Sequence, residues 1–172
     1  MSYKIAILSD SHRKPNLTSD AIEHLKSLGA TYLLHAGDLE IQENLELLKN
    51  SGLTYVSVFG NNDNSLIQYS NQYNIRKEPY YFKIKDLKFK IMHLPFYMNP
   101  DSDIIISGHT HIFEQKYTNN TLYINPGEIC ARDKPLTECV MLEINENEYI
   151  ITYNYKKPED KTWETKEFKY DR

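Results

Sequence analysis

Cysteine is scarce in this chain of 172 residues, where only Cys130 and Cys139 occur, and the two have no metal-type spacing. That scarcity fits a reduced, cytoplasmic protein. No apolar run approaches the roughly 18 residues of a membrane span, so a membrane role is not expected. Met1-Ser2-Tyr3-Lys4 leads directly into a strand-like stretch without a signal-peptide pattern. Lys and Arg form no block and the net charge is −4, which argues against a nucleic-acid-binding patch. Repeats, low-complexity segments and linkers are also missing. What remains, 26% charged and 40% hydrophobic, is the composition of an ordinary soluble globular protein, with a length suited to one domain over residues 1–172.

The first third alternates two kinds of segment. Tyr3 to Ser9 reads as a strand, apolar from Ile5 to Leu8. Pro15 and Asn16 break the chain, and a helix is expected from near Thr18, with Ala21, Ile22, Leu25 and Leu28 on one face. Asp20 and Glu23 favour its N-terminal turn and Gly29 ends it. Thr31 to Ala36 is a second strand, Ile41 to Asn50 a second helix, and Thr54 to Phe59 a third strand. This rhythm predicts a parallel α/β sheet. Asn64 to Glu78 then reads as a long loop with room for one helical turn. Beyond it the pattern turns to hairpins: Tyr80 to Ile84 with Lys88 to Met92, Ile112 to Tyr117 with Thr121 to Ile124, and Thr137 to Ile144 with Glu148 to Tyr155. A charged strand at about Trp163 to Tyr170 comes last.

The chemistry-bearing residues gather where strands end. Asp103-Ile104-Ile105-Ile106-Ser107-Gly108-His109-Thr110-His111 is a buried strand that leaves through a glycine into two histidines. Imidazoles so placed suit a metal site. Asp10 and His12 follow the first strand, Asp38 the second, Asn61 the third, and His93 another. In an open α/β sheet, ligands bind beyond the carboxyl ends of the strands. Of the 6 histidines, His12, His93, His109 and His111 fall in these segments, which a random surface scatter would not produce.

The series Asp10-x-His12, Gly37-Asp38, Gly60-Asn61-x-Asp63, His93, Gly108-His109-x-His111 and Asn125-Pro126-Gly127 resembles the calcineurin-like metallophosphoesterases, in particular their small single-domain YfcE-like branch. The resemblance runs from about Ile5 to Ile151. It implies a four-layer α-β-β-α sandwich of two mixed sheets with flanking helices. It also implies two divalent metal ions, one held by Asp10, His12, Asp38 and His111 and the other by Asp38, Asn61, His93 and His109, with Asp38 as the bridge. Asp38, Asn61, Asn62 and His109 take the catalytic positions. Carboxylate, amide and imidazole donors suit Mn²⁺, with Fe, Ni²⁺ or Zn²⁺ as alternatives. The implied activity is hydrolysis of a small phosphoester, a diester for preference, by a hydroxide that bridges two ions about 3.5–4 Å apart.

The sequence departs from the family pattern in three places. Asn62 stands where many members carry a histidine that protonates the leaving group, and an amide cannot do this at neutral pH. His93-Leu94-Pro95 replaces the usual His-Gly, and the stretch to His109 is short and lacks the usual intervening helix, which leaves Phe96, Tyr97 and Met98 for the rim. Arg13 replaces a common glycine and, with Asn62, is a candidate contact for substrate phosphate; Arg132 is a similar case. His24 reads as a surface residue, His35 as a support for the site, and Cys130 as a small core residue. The competing expectation is a weakly active or inactive interaction scaffold of the retromer-subunit kind on the same fold. A homo-oligomer is left open through the last strand.

Overall fold

The computed structural model describes residues 2–172. Strands β1 (Tyr3–Leu8), β2 (Tyr32–His35) and β3 (Thr54–Val58) alternate with helices α1 (Pro15–Ser27) and α2 (Gln42–Asn50). A 3₁₀ turn (Asn64–Tyr69) and a short strand β4 (Ile75–Arg76) occupy the expected long loop. Then follow β5 (Tyr80–Ile84), β6 (Leu87–Ile91), β7 (Ile104–Ile106), β8 (Phe113–Thr118), β9 (Thr121–Pro126), β10 (Thr137–Ile144), β11 (Glu148–Lys156) and β12 (Glu164–Asp171).

Two mixed sheets result. The first has the order β12-β11-β10-β1-β2-β3-β4, and the second β5-β6-β7-β9-β8. β1 through β4 run parallel, as the alternation predicts, while β10 returns antiparallel beside β1. Side chains alternate across a strand, so a central strand needs two apolar sets. In β1, Ile5 and Ile7 pack between the sheets with Phe89, Ile91, Ile104, Ile106, Leu122 and Ile124. Ala6 and Leu8 face the other way, against Ala21, Ile22 and Leu25 of α1 and Leu45 and Leu48 of α2. β10 divides likewise, with Val140, Leu142 and Ile144 inward and Cys139 and Met141 toward the helices.

Both helices lie on the first sheet. Among the described residues no helix covers the outer face of the second sheet, and the irregular segment 94–103 lies there instead. It is tied down by polar contacts: fully buried Lys90 reaches Asp101 at 2.7 Å and the Asn99 carbonyl at 2.8 Å, and Tyr123 Oη donates to the Met98 carbonyl at 3.1 Å. A buried ammonium is stable only when paired in this way.

Two local expectations are corrected. α1 begins at Pro15, three residues before Thr18, because proline is favoured at the first helical position, where its missing N–H costs nothing. Its first turn therefore holds no acid, and Asp20 instead pairs with Lys156 at 2.5 Å. His24 is partly buried rather than on the surface; it stacks on Trp163 at 4.6 Å and hydrogen-bonds Asn154 at 2.8 Å.

Because Phe89 is fully buried between the sheets, Phe89→Ala should cost about 3–5 kcal/mol of unfolding free energy. Urea denaturation checks this, with a lowered midpoint at nearly unchanged slope as the expected result.

Candidate metal centre

The loops after β1, β2, β3, β6 and β7 carry the seven expected ligands to one edge of the sandwich. Backbone bonds lace them together. Asp10 N donates to the Gly37 carbonyl at 3.0 Å, His12 N to the Asp38 carbonyl at 2.8 Å, and Gly108 N to the His93 carbonyl at 3.1 Å. Five of the seven have left-handed backbone: Asp10 (φ 55°), His12 (44°), Asp38 (58°), His109 (69°) and His111 (60°). Non-glycine residues enter this region seldom and at a cost, and such strain concentrates at functional sites. Each such residue bends the chain sharply just past its strand. Two glycines allow the closest approaches. A Cβ on Gly60 would fall 2.1 Å from Asp38 Oδ1, and one on Gly108 would fall 2.1 Å from Ser9 Oγ.

The side chains form two overlapping groups. In the first, His111 Nε2 lies 3.1 Å from Asp10 Oδ1 and 3.4 Å from His12 Nε2, which is itself 3.7 Å from Asp38 Oδ2. In the second, His93 Nε2 lies 3.0 Å from Asn61 Oδ1 and 3.4 Å from Asp38 Oδ2, and His109 Nδ1 lies 3.1 Å from Asn61 Oδ1. Asp38 belongs to both. Asp10, His12, Asp38, His93 and His111 are buried, whereas Asn61 and His109 are exposed, so the second group opens to solvent.

Surrounding contacts set which atoms face inward. His93 Nδ1 donates to the Ala36 carbonyl at 2.8 Å, and His111 Nδ1 to Glu128 at 2.6 Å. Each ring thus presents Nε2 to the cluster. Asp38 accepts from the backbone N–H of Asn62 at 2.9 Å and from its side-chain amide at 2.7 Å. Asp10 Oδ2 accepts from Ser9 Oγ at 2.6 Å and from His109 N at 3.1 Å.

This donor set suits a cation. Asp10 Oδ1 is fully buried and accepts no hydrogen bond, although His111 Nε2 lies close beside it. Asp10, His12 and Asp38 each bring a ligand atom within 4.8 Å of the others, a grouping that could hold a metal ion. Metal–donor bonds of about 2.1 Å put adjacent donors roughly 3.0–3.4 Å apart; the second group has this spacing, while His12 in the first stands wider, 3.7 Å from Asp38 and 3.9 Å from Asp10. Without a metal, protons supply the charge. Burial lowers the His93 pKa, but the Asp38 hydrogen bond and the charges of Asp10 and Asp38 outweigh it and raise the value to about 9. Burial acts to raise the Asp38 pKa, yet the hydrogen bond and charge of His93, with the N–H groups of Asn62, hold it well below the usual carboxylate range. His35 differs: burial pulls it down to about 3. It stays neutral, accepting from Gly37 N at 3.2 Å and meeting Ser11 Oγ at 2.7 Å, and so braces the turn before Asp38.

The remaining candidates sit around this cluster. Arg13 is largely exposed, with Nε 3.7 Å from Glu40, and Asn62 directs its amide at Asp38. Arg132 comes closer than Arg13, with Nη2 3.3 Å from His111 Nε2. Cys130 is buried as expected and donates to Glu128 at 3.2 Å, so it belongs to the site's support as well as to its packing. Sequence reasoning passed over Glu128. Its one signal was an acidic residue directly after Asn125-Pro126-Gly127, a position of no obvious use until the fold brings His111 to it.

A family profile described as "Calcineurin-like phosphoesterase superfamily domain" matches residues 3–147. Over 162 residues the chain is 30% identical to phosphodiesterase MJ0936 of Methanocaldococcus jannaschii, covering 85% of this chain and 96% of that protein. Vacuolar Protein Sorting 29 from Cryptosporidium parvum is similar in structure, with a TM-score of 0.80, 18% identity and 99% coverage of both chains. YfcE, a phosphoesterase from E. coli, has a TM-score of 0.67 at 19% identity, covering 87% of this chain and 91% of that one. At these identities the two structures are evidence of a shared fold alone.

A proton and a metal ion would compete for His93, which fixes a sign. In metal-free protein the contribution from charged His93 is complete below its ordinary value of 6.5 and is lost as pH rises through about 9. The metal-free melting temperature should therefore fall over that interval, while the increase produced by added Mn²⁺ should grow; scanning fluorimetry across pH measures both. Gly60→Ala, which drives a methyl into Asp38, should abolish most of the Mn²⁺-induced increase.

Proposed function

Because this chain belongs to the calcineurin-like phosphoesterase superfamily, we propose that it is a dinuclear-metal phosphodiesterase acting on small phosphoesters. One observation carries the reading: Asp38 Oδ2 lies between His12 and His93, 3.7 and 3.4 Å away, so one carboxylate serves two adjoining donor groups. Calcineurin-like phosphoesterases bind divalent metals. Here Asp10, His12, Asp38 and His111 would hold one ion, and Asp38, Asn61, His93 and His109 the other. Oxygen and nitrogen donors favour Mn²⁺, with Fe, Ni²⁺ or Zn²⁺ as alternatives. Bound ions would supply Lewis acidity, lowering the pKa of a water and neutralising phosphoryl oxygens.

The protein's own groups then have separate tasks. Asn61 and His109, on the exposed side, border the space where substrate enters. Arg132 offers a planar guanidinium beside His111, suited to a phosphoryl oxygen and better directed than Arg13. Asn62 holds Asp38 in place by two hydrogen bonds and has no proton to give a departing alkoxide. Ile112, 56% exposed, directly follows His111 in sequence, and Phe96, 73% exposed, comes three residues after His93. An interaction scaffold would make use of such apolar groups, but it has no need of Asp10, Asp38 and His93 buried among further donor side chains.

Asp38→Ala should lower phosphodiesterase activity at least about a hundredfold with Mn²⁺ supplied, more than the loss of a merely supporting residue would. Purified protein that binds no metal and hydrolyses no aryl phosphodiester would favour the scaffold instead. A missing general acid removes a factor of about 10²–10⁴ for poor leaving groups. Turnover of aryl diesters should therefore exceed that of alkyl diesters by such a margin. Asn62→His should narrow the gap, and equal wild-type rates on both ester types would contradict this assignment.

A further inference from the structure

We infer that Glu128 is a positioning residue for the metal centre, fixing the His111 ring so that Nε2 faces the cation held with Asp10 and His12. This rests on the metal-centre reading above. Glu128 is fully buried, and a carboxylate so placed must have its acceptor sites filled. Four donors come from the turn that follows it. The N–H groups of Asp133 and Lys134 reach Oε1 at 2.9 and 2.7 Å, while Arg132 N and Cys130 Sγ reach Oε2 at 3.1 and 3.2 Å. Ala131, with φ 52°, makes the bend that points these groups inward. The contact with His111 Nδ1, at 2.6 Å, is the shortest of the set.

A turn that only needed capping could use a neutral oxygen, as Asn and Ser side chains do elsewhere. The carboxylate brings a charge, and that charge has one close aromatic partner. Lys134 Nζ stays 4.0 Å from Glu128 and pairs instead with Glu138 at 2.9 Å, besides donating to the His111 carbonyl. Asp133 also approaches His111 Nδ1, at 3.3 Å, but its side chain is 53% exposed and so is the weaker influence. Backbone donors on both oxygens leave Glu128 no freedom to turn away. The ring of His111 is held in turn, and its opposite nitrogen lies 3.1 Å from Asp10 Oδ1 and 3.4 Å from His12 Nε2. A carboxylate behind a ligating imidazole makes that imidazole a stronger donor, and loss of such a partner typically weakens metal binding 10–100-fold.

The test follows two rings during Zn²⁺ titration of the full chain, with His111 and His93 side-chain nitrogen resonances as separate reporters. In Glu128→Gln the His111 midpoint should move to about 10–100-fold higher Zn²⁺, while the His93 midpoint moves less than about threefold. The His111 Nδ1 proton should also lose its downfield shift, and Glu128→Asp should restore part of the affinity. If both midpoints move equally, Glu128 is only a cap for its turn and the inference fails; it fails too if neither moves. Wild-type protein whose His111 and His93 signals ignore Zn²⁺ would overturn the metal-centre reading itself, a distinct outcome.

Discussion

Asp38 Oδ2 stands 3.4 Å from His93 Nε2, at the rim of the second sheet, and 3.7 Å from His12 Nε2, at the rim of the first. This carboxylate couples the two halves of the sandwich where they open. Its position depends on Asn62 donating to both of its oxygens and on Gly60 having no side chain to displace it. It also depends on the apolar layer between the sheets, because that packing sets how far one rim lies from the other. A slip of one residue in β1 against β2 would exchange Ile5 and Ile7 for Ala6 and Leu8 and move Asp10 away from Gly37.

Much of this arrangement was legible in the sequence, for definite reasons. Alternating segments in the first third announced a parallel sheet, and a buried central strand shows itself as an unbroken apolar run, as Ile5 to Leu8 does. Strand-terminal Asp10, Asp38, Asn61, His93 and His109 were readable because parallel strands bring their carboxyl ends to one edge. Other features depend on distant contacts that have no local pattern. Pro15 could as well precede a helix as begin one. His24 looked like a surface residue until Trp163, far along the chain, stacked on it. The segment 94–103 has no periodicity because it is held by Lys90 and Tyr123 through single polar contacts. Glu128 became meaningful only beside His111, 17 residues earlier in the chain.

The fold it shares with Vacuolar Protein Sorting 29 and with YfcE leaves room for different uses of one framework. In this chain the rim carries a group of buried polar side chains. Asp10, Asp38, His93, His111 and Glu128 are all withdrawn from water, which costs free energy that a scaffold would have no reason to spend.

The left-handed backbone at Asp10, His12, Asp38, His109 and His111 bears on how such a framework can change over evolution. These residues lie in loops beyond both apolar layers, in conformations that glycine or asparagine adopts at less cost than the residues now present. Replacing one would relieve local strain while removing a donor, and the sandwich would lose none of its apolar burial. The chemistry can therefore be deleted in single steps that the fold tolerates. The reverse route is harder, since each ligand regained would bring strain back before its partners were there to make use of it. Losing a donor at such a position is therefore structurally cheaper than regaining it, an asymmetry set by the sign of five backbone angles.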